Sequence, residues 1–164
     1  MCPRAGVLVF AYIITGKVSD LAMTSRANAV RTDELWRHTC FEAFLRGPSS
    51  AAYYEFNFAP STQWAAYKFN SYRTEMRVAT EINAPQIAVE ARREHYILQA
   101  SLELDGSLPL ASGDEAASWR VGLSAVLKET SGRQSYWALA HPASKPDFHH
   151  SDCFALEVPQ AWRP

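Results

Sequence analysis

The chain has 164 residues, of which 48% are hydrophobic and 20% charged, and its formal net charge is −1. That length sets the expectation of one domain spanning residues 1–164 with a substantial core, and the composition argues against disorder. No Lys/Arg run supplies the footprint of a nucleic-acid binder and no apolar stretch is long enough for a membrane helix, so neither partner is expected.

Cys2, Cys40 and Cys153 are an odd number with no CxxC spacing, which supports neither a zinc ribbon, nor covalent haem attachment, nor a disulfide scaffold. Arg4 followed by the apolar run Val7 to Ile14 has the outline of a short signal sequence. The A-x-A at Ala27-Asn28-Ala29, however, lies beyond a polar gap of roughly a dozen residues, too distant for cleavage. Residues 6–15 therefore read as a first strand, and the protein as cytoplasmic. Gly16-Lys17 marks a turn. The polar connection over 17–34 has weak helical character and a length typical of segments that are functional or cap the end of a barrel or sandwich.

Residues 35–70 are the most informative. In 35–45, Leu35, Phe41, Ala43 and Leu45 fall on one parity and Trp36, His38, Cys40, Glu42 and Phe44 on the other, the two-residue period of a strand. In 53–58, Tyr54, Phe56 and Phe58 oppose Tyr53, Glu55 and Asn57. In 64–70, Ala65, Tyr67 and Phe69 oppose Trp64, Lys68 and Asn70. Gly47-Pro48-Ser49-Ser50 reads as a hairpin loop and Ala59-Pro60-Ser61-Thr62 as a break. Three adjacent antiparallel strands would bury one aromatic face and present Trp36, Glu42, Tyr53, Glu55, Asn57, Trp64 and Lys68 on the other.

Residues 71–84 have no clean period, with Tyr72, Met76, Val78 and Ile82 as apolar anchors before Pro85. Strands follow at 86–91 and 95–104. Asp105-Gly106 is a turn and 107–118 a loop, before strands at 119–128, 135–141 and 153–158, the last after a loop over 142–152. Some eight to ten short strands without a βαβ rhythm indicate an all-β antiparallel sandwich, immunoglobulin-like or jelly-roll-like.

The central unit resembles the DOMON-like β-sandwich ligand-binding domains and family 9 carbohydrate-binding modules. The shared pattern is Trp36, Glu42, Phe44 and then Tyr53-Tyr54-Glu55-Phe56-Asn57-Phe58-Ala59-Pro60. With YWALAHPASKPDFHH added, it is similar to a bacterial, uncharacterised DOMON-like group. The resemblance covers roughly residues 6–158. It implies a non-catalytic module for a small ligand, a sugar above all, with Trp36 and Glu42 as binding residues. Family 9 modules carry acidic residues just after the Trp, where this chain has Arg37, His38 and Thr39. Members of the narrower group carry one more strand before residue 6, which suggests a missing first strand here and an unpaired sheet edge.

Each motif also has a plainer meaning. The polar face suits a pyranose, with rings for its C–H face and carboxylate, amide and ammonium groups for its hydroxyls, yet an antiparallel sheet can simply turn such a face to water. Some DOMON domains hold haem b, for which Met76, His141 and His149 are the candidate ligands, with His150 and, less suited, His38 beside them, although Met is often a core filler and a lone His structural. Asp147-Phe148-His149-His150-Ser151-Asp152-Cys153 could be a polar loop, a metal site or a loop that gates a ligand; adjacent histidines on an extended chain point apart, so one at most serves one site. Cys40 with His38, or Glu42 with Glu55, could imitate a thiol enzyme or a glycosidase. A protein partner meeting the polar face and first strand is the remaining alternative.

Overall fold

The computed structural model describes residues 6–104 and 118–159, and the strands among them all pair antiparallel. The strands are β1 (Gly6–Thr15), β2 (Cys40–Arg46), β3 (Tyr53–Phe58), β4 (Trp64–Phe69) and β5 (Arg77–Val78), then β6 (Gln86–Ala91), β7 (His95–Leu104), β8 (Ser118–Lys128), β9 (Gln134–Ala138) and β10 (Leu156–Pro159). The turn at 105–106 and the 107–117 part of the expected loop lie outside the described residues. Among the described residues no helix is long and apolar enough to cross a membrane.

Two sheets form. The smaller has the order β1-β7-β6, with β1 at an edge. The larger runs β8-β2-β3-β4-β5, and both β9 and β10 pair with β8 on the side away from β2. The β2–β3, β3–β4, β6–β7 and β8–β9 neighbours follow one another in sequence and are joined by short antiparallel returns, whereas β1–β7 and β2–β8 pair strands distant in the chain.

The sheets meet through alternating residues. Phe41, Ala43 and Leu45 of β2, Tyr54, Phe56 and Phe58 of β3 and Ala66 of β4 pack against Phe10, Tyr96, Leu98 and Ala100 of the smaller sheet. Phe10 lies 6.5 Å from the Phe56 ring and 6.0 Å from that of Phe58, while Phe41 stacks on Tyr96 at 6.1 Å. The Tyr12 hydroxyl donates to the Glu42 carbonyl at 2.7 Å and so ties β1 to β2 at one side of this core.

The 17–34 connection closes one end of the sandwich. Arg31 lies over the Trp64 ring at 4.1 Å and donates to the carbonyls of Ala66, Ala79 and Ile82 at 3.3, 3.1 and 3.0 Å. A guanidinium presents several donors in one plane, so one side chain holds the connection, β4 and the segment after β5 together.

Several boundaries differ from those the periodicity predicts. Leu35–Arg37 is a 3-10 turn entered through Glu34 in the left-handed region (φ 60°), so β2 begins only at Cys40. Leu35 accordingly packs with the outer face of the large sheet and not with the inner core. Of the four anchors expected in 71–84, Tyr72, Met76 and Val78 are exposed and Ile82 is buried, together with Ala79. Ser151–Cys153 forms another 3-10 turn, stabilised where His150 Nδ1 accepts from the Asp152 N–H at 3.2 Å, and the last strand starts at Leu156.

Candidate functional site

The outer face of the large sheet carries a second layer of side chains that faces no sheet. Cys40, Glu42 and Phe44 of β2 project there, with Tyr53, Glu55 and Asn57 of β3, as their alternation predicts. On β4 the faces are reversed. Phe58 pairs with Trp64 and Tyr54 with Lys68, so Trp64 and Lys68 belong to the inner face, while Tyr67 and Phe69 stand beside Glu55 and Tyr53. Trp64 is buried in the inner core and Lys68 reaches out from its margin, its ammonium 5.5 Å from the Tyr54 ring. The structure therefore does not bring these two to the outer face with the other five expected residues.

Two covers close part of this face. The Leu35–Arg37 turn lays Trp36 edge-on against Tyr67, with ring centroids 5.8 Å apart. The segment after β9 brings Phe148, His149 and Phe154 over Phe44, Tyr53 and Phe69, with the His149 ring 5.1, 5.8 and 5.0 Å from those three. Gly122 of β8 permits the close approach, since a Cβ there would stand 2.8 Å from the Cys153 carbonyl oxygen.

Between the covers lies a concavity of about 840 Å³, within the size range of ligand sites. Glu42 and Glu55 are in its floor. Trp36, Phe69, Tyr136 and Phe148 supply ring surface, and Arg37, Arg73, Gln134 and Asp147 supply polar groups. Tyr53 and Asn57 lie behind this lining: Tyr53 OH is 2.7 Å from His149 Nδ1, and Asn57 donates to Glu55 Oε1 at 2.9 Å.

The floor is electrostatically unusual. Glu42 and Glu55 are only 4% and 5% exposed, and in the register Glu42 faces Asn57 while Glu55 faces Phe44, so the carboxylates are diagonal neighbours. Burial, reinforced by the charge of Glu55, holds the Glu42 carboxyl well above the usual range. Burial lifts Glu55 to about 7. His149 Nε2 is 3.6 Å from Glu55 Oε2, yet burial and then the Arg73 charge depress the imidazole to about 4, so at neutral pH it is an uncharged neighbour. Arg73 is paired with Asp147 at 2.8 Å, and Arg37 with Glu34 at 2.8 Å. Burial would raise Asp147, but hydrogen bonds from Tyr72 and Arg73 outweigh it and keep this carboxyl below its ordinary value.

The haem candidates divide. Met76 and His149 both line the concavity, whereas His141 is an exposed ring lying 6.1 Å from Phe148. These residues do not fit an axial pair. Both His149 nitrogens face protein oxygens, and Met76 is 55% exposed at the rim. Among the described residues no set of three His, Cys, Asp or Glu side chains could hold a metal ion. Cys40 is fully buried, its thiol pushed up by burial and then by Glu42 and directed at Asn57 Oδ1 at 3.7 Å, while His38 is exposed.

The alternation does not reveal Arg73, Gln134, Tyr136 and Phe148 as lining residues. For Phe148 a signal exists in the 147–153 motif, of which one histidine, His149, faces inward while His150 caps a turn. Arg73 sits in a segment without periodicity, and Tyr136 shares a face with Val126 only through the β8–β9 register.

No family model matches the chain, and no curated protein matches it. Among solved structures, the crystal structure of a candidate carbohydrate-binding protein from Bacteroides uniformis ATCC 8492 is similar in fold. Its TM-score is 0.57 at 9% sequence identity, over 92% of this chain and 71% of that one. At that identity the likeness concerns fold alone. The class defined by fold and site is thus an antiparallel two-sheet β-protein with a partly covered concavity on the outer face of its larger sheet.

Proposed function

We propose that the protein is a non-catalytic binding module for a small carbohydrate-like ligand, of the DOMON-like kind, and that the outer-face concavity is its site. One observation carries this reading: Trp36, although displaced from the strand, still lines the same hollow as Glu42 and Glu55. Ring surface above buried acceptors is what a pyranose requires, one face being apolar C–H and the edge hydroxyl. The fold likeness to a candidate carbohydrate-binding protein supports the reading without fixing a ligand.

Thermal-shift screening against mono- and oligosaccharides tests it, because a ligand that binds only the folded chain raises the melting temperature by mass action. A rise that Trp36→Ala abolishes while leaving the unliganded melt unchanged is the expected result. No rise with any sugar at millimolar concentration would remove the proposal.

Protein interaction is a second reading favoured by a separate observation. The β1 edge exposes Val7, Val9 and Ile13, and Ile13 shares a cleft of about 430 Å³ with Trp137 of β9, which is 61% exposed. Charge placed at Ile13 would abolish partner capture in that case and leave sugar binding untouched.

A further inference from the structure

Resting on the sugar-binding reading, we infer that the ligand carries a free ammonium group, as an unacetylated amino sugar does, and that this cation seats between Glu42 and Glu55. The two carboxylates are more than nine-tenths buried on adjacent strands, and no Lys or Arg makes an ion pair with either among the described residues. Among the described residues one hydrogen bond reaches the Glu42 carboxylate, a long one of 3.4 Å from the Ser124 hydroxyl to Oε2, and the side chain lines the hollow.

Among the described residues, the basic side chains that line the hollow are already committed. Arg73 pairs with Asp147, Arg37 with Glu34, and His149 is held neutral between Tyr53 and Glu55. Two buried acids without a counter-ion are stable only while they retain a proton, and a ligand ammonium supplies both the missing charge and up to three donors. The rings of Trp36 and Tyr136 favour the same sign, since a cation is attracted to the face of an aromatic ring. A carboxylate- or phosphate-bearing sugar would bring another anion against two buried acids that offer it no counter-charge. In the empty hollow each acid holds its own proton; seating the ammonium displaces one of the two to solvent, so that a single carboxylate balances the cation.

Calorimetric titration near pH 6.5, where the sugar amine is protonated, decides this when run in two buffers of different ionisation enthalpy. The probes are the β-1,4-linked glucosamine dimer, its N-acetylated counterpart and cellobiose. The glucosamine dimer should bind at least about tenfold tighter than the other two and release about one proton per site. Glu42→Gln and Glu55→Gln, checked for an intact fold by their thermal melts, should each erase that preference and the proton release. Equal binding of all three sugars, or a preference that survives both substitutions, would overturn the inference and leave the sugar reading standing. Binding by none of them, with no sugar active in the thermal screen, would end both.

Discussion

The two faces of the large sheet are built from the same three strands and do different work. Toward the smaller sheet, Phe41, Leu45, Tyr54, Phe56 and Phe58 meet another apolar layer in the regular manner of two aligned sheets. Toward the other side, Phe44, Tyr53, Tyr67 and Phe69 are covered only by a turn and a loop, and Glu42, Glu55 and Asn57 are interleaved among them. The inner face draws stability from burial. Its neighbour gives part of that up, because carboxylates taken out of water without counter-charges destabilise the empty protein. Retaining such groups under a partial cover makes sense where a ligand completes the charge balance.

Breaking the inner face should have the largest effect. Phe56 is fully buried and its ring lies between those of Phe10, Tyr54 and Phe58. Phe56→Ala should cost about 3–5 kcal/mol in denaturant unfolding and lower the melting temperature by roughly 10 °C. A loss as small as that of an exposed substitution would mean that the sheets are not packed as described.

Neutralising the outer floor should move stability in the opposite direction, and only at the alkaline end. The folded pKa of Glu42 lies above its unfolded value, so the group costs nothing while both states are protonated and destabilises the fold as pH rises through the folded value. Glu55, lifted to about 7, behaves alike. His149, depressed to about 4, has the reverse sense, its neutral form costing stability as pH falls below about 6.5. Glu42→Gln should therefore match the parent near pH 5 and exceed it by roughly 1–3 kcal/mol near pH 8, read from denaturation midpoints. A constant difference across that range would show that Glu42 does not keep its proton in the fold.

Loosening the cover is a smaller change. A methyl at Gly122 would meet the Cys153 carbonyl at 2.8 Å, and that backbone must shift because the sheet beneath it cannot. Gly122→Ala should cost about 1–3 kcal/mol and raise amide exchange over residues 146–154 while the β2–β3 amides remain protected. Uniform deprotection would place the glycine in the main cooperative core.

How far the alternation could be read follows from the same contrast. On β2 and β3 the two parities differ sharply in chemistry, carboxylates and an amide against Phe, Ala and Leu, so the inner and outer residues separate in the one-dimensional pattern. The start of that pattern misleads: Leu35 and Trp36 continue the alternation numerically, but Glu34 adopts φ 60° and the chain turns before β2 begins. β4 offers aromatic rings on both parities, and its one lysine suggests solvent. A register argument resolves it. With Phe58 opposite Trp64, even-numbered residues of β3 and β4 must share a face, which puts Trp64 and Lys68 with Phe56. The covering loop was visible only as a cluster of polar types, because what it covers is decided by contacts some hundred residues away, such as Tyr53 with His149.

Lys68 gives the finest test of which face binds. Its chemistry suits a sugar hydroxyl as well as any residue in the unit, but its stem lies along the inner margin and its ammonium is 5.5 Å from Tyr54, separated from the concavity by the thickness of the sheet. Lys68→Ala should forfeit at most about 0.5–1 kcal/mol of stability from the lost ring contact. Sugar affinity should change by less than about twofold, against a loss of about tenfold or more for Trp36→Ala measured by the same titration. Should the two substitutions weaken binding equally, the ligand would have to reach the edge of β4, and the division of labour between the faces would be misassigned at that strand.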